Sequence, residues 1–194
     1  EYARRMGLPV RSILMPVNEN NEFSVFLQSG IYKKISPSIA CLSNAMNVGN
    51  PSNLSRFFEL YGGTIDRNGI VHQQPQIEEL RKKVFSVSVS DEETRHTIKR
   101  IYTRYGVVLE PHGAVAWQGL ETYLEQNGDF PLCVSLETAH PAKFPEEVER
   151  LLGIKLKLPI SMKGLEDRTG EPITMSANYE EFKCYLKDTL PSIG

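Results

Sequence analysis

Apolar and polar positions fall in blocks along the chain, and the period of each block predicts an element. Leu54, Phe57, Phe58 and Tyr61 fall at i, i+3, i+4 and i+7 before Gly62 and Gly63, which predicts a helix over residues 50–61 with one apolar stripe. Ser90-Asp-Glu-Glu93 is a capping box, and the helix it opens carries Ile98, Ile101, Tyr102 and Tyr105 on one side before Gly106. A further helix starts near Pro111, with Ala116, Leu120, Tyr123 and Leu124 at helical spacing. Its Gly113, Ala114 and Ala116 permit close approach of another backbone or a flat ligand. Residues 141–152 place Phe144, Val148, Leu151 and Leu152 on one face, and Gly153 ends that helix. Residues 1–6, followed by Gly7 and Pro9, read as the last turns of a helix.

Two runs are nearly continuous in apolar residues, at 12–17 and 132–136, the pattern of strands covered on both faces of a parallel sheet, with Pro16 expected at the end of the first. Residues 84–89 alternate apolar and polar, like a half-covered strand. The polar run 18–21 is then a loop at a strand's carboxyl end, where open α/β sheets bind ligands. Helices alternating with strands predict an α/β fold: a three-layer, open, mainly parallel sheet that contains 12–17 and 132–136, with helices on both faces. Residues 1–153 form this α/β part. Residues 154–194 form a tail, rich at first in Lys, Pro, Gly and Ser, that wraps the surface and ends in a helix with Tyr179, Phe182 and Leu186.

Hydrophobic residues at 40% and charged residues at 24% are the proportions of a globular chain able to bury a core without staples. Lys plus Arg number 22 and Asp plus Glu 24, so the net charge of -2 offers no field for a polyanion and argues against a nucleic-acid partner. Cys41, Cys133 and Cys184 are odd in number and widely separated, which suggests neither a disulfide framework nor a thiolate metal site and fits a reducing, cytoplasmic compartment. No apolar run approaches the roughly 20 residues of a membrane-spanning helix. The charged start at Glu1, inside a helical pattern and without Met, reads as a fragment.

Glycine-rich phosphate loops, G-x-S-x-G and H-E-x-x-H are all missing, so spacing alone names no enzyme. His72 and His96 have no ligand partner at metal-binding spacing, and no metal is expected. Longer strings carry more. Glu137-Thr-Ala-His-Pro-Ala-Lys-Phe144 follows an apolar run directly, and Ser43-Asn-Ala-Met-Asn-Val-Gly-Asn-Pro-Ser-Asn53 precedes the Leu54 helix. With Asp91-Glu-Glu-Thr94 and Glu110-Pro-His112 they keep one register over roughly residues 1–185. In these strings the chain resembles threonine synthase, C-terminal portion.

The resemblance implies half of the large cofactor domain of a fold type II enzyme that uses pyridoxal 5'-phosphate (PLP). The implied reaction takes O-phospho-L-homoserine and water to L-threonine and phosphate. It also implies that the Schiff-base lysine and the glycine-rich phosphate loop lie in a missing N-terminal part of the same enzyme, so that the fragment alone is inactive. Thr138 matches the residue whose hydroxyl meets the pyridine nitrogen; capping of the following helix is the alternative. Glu110 opens an E-P-x-x-A string like one that passes near the cofactor ring in related dehydratases, against an exposed acid in a helix's first turn. For the substrate phosphate there are two donor sets, Ser52, Asn53 and Arg56, or His140 and Lys143, against helix capping and solvated charge. Asn47 stands where many relatives have Asp. Another PLP-dependent dehydratase, or a non-catalytic α/β assembly or sensing module, are the rival identities; the Thr138 to Phe144 string speaks against the dehydratase.

Overall fold

Residues 1–128, 132–165 and 167–190 are described by a computed structural model. They fall into two compact units, 1–157 and 158–194. In the first, helix α1 (Tyr2–Arg5) leads to strand β1 (Ile13–Leu14), then α2 (Glu22–Ser29) and α3 (Leu54–Leu60). The hairpin β2 (Thr64–Ile65) and β3 (Val71–Gln73) follows, then α4 (Ile77–Arg81) and β4 (Val84–Phe85). Helices α5 (Asp91–Tyr105), α6 (Pro111–Asn127) and α7 (Pro145–Leu152) complete it. The fold class is α/β, rich in helix, with parallel pairing at its centre.

That pairing joins β1 to β4, with Ile13 opposite Val84 and Leu14 opposite Phe85, and it continues to a parallel bridge between Val17 and Ser88. Ile13, Met15 and Val17 donate toward the β4 side at 2.8–2.9 Å. The alternate residues, Leu14 and Pro16, therefore turn away from it. Pro16 sits within the paired stretch because the donor it lacks belongs to the other edge.

Two apolar clusters flank this pairing. The first joins Phe23, Phe26 and Leu27 of α2 to Leu54 and Phe58 of α3, Leu80 of α4 and Val84 of β4. Phe26 and Phe58 stack with centroids 4.9 Å apart, and both are wholly buried. Burial of side chains this size contributes roughly 1.5–3 kcal/mol each. The second cluster joins Ile98 and Ile101 of α5 to Leu109 and Ala114, with Trp117, Leu151 and Leu152 packed against it. The Ser90 capping box is formed: its hydroxyl accepts from Glu93 N at 3.3 Å, and Ser90 N donates to Glu93 at 2.7 Å.

The run 132–136 departs from expectation. It makes no ladder with any strand among the described residues, and Leu132, Val134 and Leu136 are 81%, 72% and 71% exposed. Instead these three line a cleft of about 800 Å³ with Leu8, Pro16 and Tyr123. A strand is defined by its partner, and no strand among the described residues hydrogen-bonds the run. Residues 141–152 also divide, into a 3-10 turn at Pro141–Lys143 and helix α7 from Pro145. The second unit contains a 3-10 turn at Ile160–Met162 and helix α8 (Tyr179–Thr189), whose N-terminus is capped by the Asn178 side chain. Among the described residues no helix is long and apolar enough to cross a membrane.

Candidate active site

Parallel pairing brings the carboxyl ends of β1 and β4, and the loops after them, to the same edge. The first of those loops contains Asn18, 1% exposed, whose amide is fully used. Its Nδ2 donates to Ser43 Oγ at 3.1 Å and to Asn47 Oδ1 at 3.2 Å, and its Oδ1 accepts from Asn20 N and Nδ2 at 3.0 Å. Asn20 in turn holds Ile39 by both N–H and C=O, at 2.8 and 2.9 Å. The segment that carries Ser43 to Asn47 is therefore pinned to the end of β1. Asn47 accepts from Asn18 and from Cys41 N through one oxygen, a role that Asp can fill equally.

The other wall is the start of α6. Glu110 is wholly buried and caps that helix. One of its oxygens accepts from Gly113 N at 2.8 Å, and the other from His112 N at 2.9 Å and lies 2.6 Å from His112 Nδ1. His112 Nε2 accepts from Ala45 N at 3.1 Å, which joins the α6 terminus to the Ser43–Asn47 segment. The His112 ring also packs on Phe144, with centroids 5.3 Å apart.

Glu137 closes the arrangement. The residue is exposed overall, but its carboxyl lies over Gly113, where a Cβ would stand 2.1 Å from Oε2. Burial of that end, and then the negative charge of Glu110, push its pKa up from 4.5 to about 7. Two carboxyls thus share one helix terminus, and Glu137 keeps its proton to a higher pH than an ordinary glutamate.

Thr138, next in the chain, is exposed, and it does not cap the helical turn that follows. His140 does so, its Nδ1 accepting from Ala142 N at 3.1 Å. His140 and Lys143 are both exposed. Ser52, Asn53 and Arg56 are exposed at the start of α3, where the Asn53 side chain makes no cap bond. The structure thus brings Glu110 and the Glu137 carboxyl together, with Thr138 next to Glu137 in the chain, and leaves the residues of the two phosphate sets exposed. Sequence reading gave no individual role to His112, Asn18 or Glu137. It had them only within longer signals: Asn18 in the polar loop after the first strand, His112 and Glu137 in the strings Glu110-Pro-His112 and Glu137 to Phe144.

Glu19, Cys41 and Asp91 also place ligand atoms within 4.8 Å of one another. Protein hydrogen bonds account for them: Cys41 donates to Glu19 at 3.7 Å and Asp91 accepts from Leu42 N at 2.8 Å. Burial, and then the two nearby carboxylates, raise the pKa of the Cys41 thiol.

A family model described as threonine synthase, C-terminal, matches residues 113–185. This stretch is similar to the C-terminal part of the threonine synthases. A threonine synthase of Haemophilus influenzae is 40% identical over 189 residues, and one of Serratia marcescens 36% over 187. Each alignment covers 95% of this chain and 39% of the relative, so the chain spans about two fifths of the length of these threonine synthases. The crystal structure of threonine synthase from Escherichia coli superposes with a TM-score of 0.75 at 32% identity, over 97% of this chain and 40% of that one. PLP-bound threonine synthase from Brucella melitensis gives 0.77 at 25%, over 96% and 42%.

Proposed function

We propose that this chain is the C-terminal part of an enzyme that converts O-phospho-L-homoserine and water to L-threonine and phosphate with PLP. Residues 1–153 would supply the second half of its cofactor domain and 154–194 the tail. One observation supports the reading beyond similarity: the Glu137 carboxyl lies at the helix terminus that the buried Glu110 caps, and Thr138, next in the chain, is exposed and unused as a helix cap.

That donor set fits the cofactor. A hydroxyl can meet a pyridine nitrogen as donor without carrying charge to it, and Glu110 is already engaged by N–H groups, which keep it from competing for that nitrogen. Bound PLP supplies the electron sink for the elimination and rehydration of the substrate side chain. Thr138 would hold the ring nitrogen as a neutral hydrogen-bonded group, leaving the sink weaker than one facing a carboxylate. For the substrate phosphate, Ser52, Asn53 and Arg56, or His140 and Lys143, offer N–H and O–H donors. The Schiff-base lysine would come from the N-terminal part, so the 194-residue chain alone is inactive, and the complete enzyme works in the cytoplasm.

The test is phosphate release from O-phosphohomoserine with PLP, for the full-length enzyme and for residues 1–194. Release by the full-length protein alone is expected. Turnover by the short chain would place the lysine within it, and release of ammonia from threonine or serine in place of phosphate from O-phosphohomoserine would make the protein a dehydratase.

A further inference from the structure

We infer that His112 is a positioning residue, which holds the Glu110 carboxylate through a fixed imidazole tautomer and ties it to the Ser43–Asn47 segment. The inference rests on the proposed reading of Glu110 as a group beside the cofactor.

The tautomer follows from who donates. Ala45 N carries a hydrogen and points at His112 Nε2 over 3.1 Å, so Nε2 must offer its lone pair. The proton of the neutral ring then belongs on Nδ1, which lies 2.6 Å from Glu110. Glu110 so receives three N–H groups: two from the backbone of the first turn of α6 and one from the ring. Two backbone donors and a short cap geometry already fix its position along the helix axis. The imidazole adds what they cannot, a link to a distant segment, since Ala45 and His112 lie 67 positions apart in sequence. The Ser43–Asn47 segment is itself pinned by Asn18, so its position is passed to Glu110 through one ring. Phe144 packs on that ring and limits its rotation. Glu137, whose carboxyl lies against Gly113, is the other acid at this terminus. Glu110 accepts from three N–H groups, while burial and the nearby Glu110 carboxyl raise the pKa of Glu137.

Nitrogen-15 NMR of the full-length enzyme labelled in histidine tests the tautomer directly. The expected result for His112 is a protonated Nδ1 and an unprotonated Nε2 near neutral pH. A protonated Nε2 on a neutral ring would overturn the inference. Three substitutions in the same holoenzyme separate the two halves of the link. His112→Asn keeps an N–H near Nδ1, His112→Gln keeps an acceptor near Nε2, and His112→Leu keeps neither. With thermal midpoints compared in parallel, kcat is expected to fall about tenfold or more for the Leu variant and by an intermediate factor for the Asn and Gln variants, each of which keeps one half of the link. The absorption maximum of bound PLP is expected to move with kcat, and the loss in His112→Leu combined with Glu110→Gln should not exceed that of Glu110→Gln alone. Additive losses, or equal kcat in the Asn and Leu variants, would overturn the inference. A Glu110→Gln enzyme with unchanged kcat and PLP absorption would instead overturn the reading of Glu110, whatever the tautomer.

Discussion

The carboxyl of Glu137 rests on the backbone of Gly113, at a place where any Cβ would stand 2.1 Å from Oε2. The missing side chain is what lets two acids share one helix terminus, and burial beside Glu110 then raises Glu137 to about 7. An acid whose pKa is higher folded than unfolded binds its proton more tightly in the fold. Its contribution is complete below about 4.5 and is lost as pH rises to about 7. The expected outcome is that Glu137→Gln removes this loss, so its thermal midpoint exceeds that of the parent at pH 8 and the two converge toward pH 4. Parallel curves over that range would show that Glu137 titrates normally. Gly113→Ala should also flatten the pH dependence, by displacing the flexible end of Glu137 from its seat.

Gly119 is a contact of a different kind. A Cβ there would lie 2.1 Å from Pro16 Cγ and 2.4 Å from Pro16 Cβ, and a proline ring cannot swing aside as a glutamate can. Gly119→Ala therefore pushes α6 off the end of β1. Overpacking of this sort costs about 1–3 kcal/mol, to be read as a lower urea midpoint at unchanged slope.

Asn18→Ala removes the amide that joins the end of β1 to Ser43 and Asn47 and takes away the acceptor of the N–H of the buried Asn20. The expected cost is about 1–3 kcal/mol. Limited proteolysis should then cut the segment 39–50 faster than in the parent enzyme. Equal cleavage rates would mean that Asn20 and Asp91 hold the segment without Asn18.

Thr138→Val keeps the shape and removes the hydroxyl. Because that residue is exposed and caps no helix, stability should stay within about 0.5 kcal/mol. In the full-length enzyme turnover should fall about tenfold or more, with a changed PLP spectrum, and Thr138→Ser should recover part of it. Unchanged kinetics and spectrum would remove Thr138 from the site.

Local period and caps made much of the fold legible. Leu54 and Phe58 are buried on α3 and Ile98 and Ile101 on α5, each where a repeat of 3.6 puts them, and the Ser90 box and the left-handed Gly106 bound α5 as their residue types require. These signals lie within one turn or one helix, so a sequence window contains them. Helix α2 and the hairpin of β2 with β3 gave no comparable signal, since Phe23, Phe26 and Leu27 become a core face only against Phe58 and Leu80 from later in the chain. The run 132–136 has the apolar content of a strand, yet a ladder needs a second backbone at about 4.8 Å, and no such neighbour is set by the residues themselves. The site divides the same way. Glu110 and Thr138 stand in strings that can be matched by eye, whereas His112 acquires a partner at each nitrogen only when folding brings Ala45 to one and Glu110 to the other. Sequence alone determined which residue types carry the donors and the charge. Tertiary structure decided which of them meet, because a hydrogen bond depends on distance in space and direction, and for pairs as far apart as Ala45 and His112 neither is encoded in spacing along the chain.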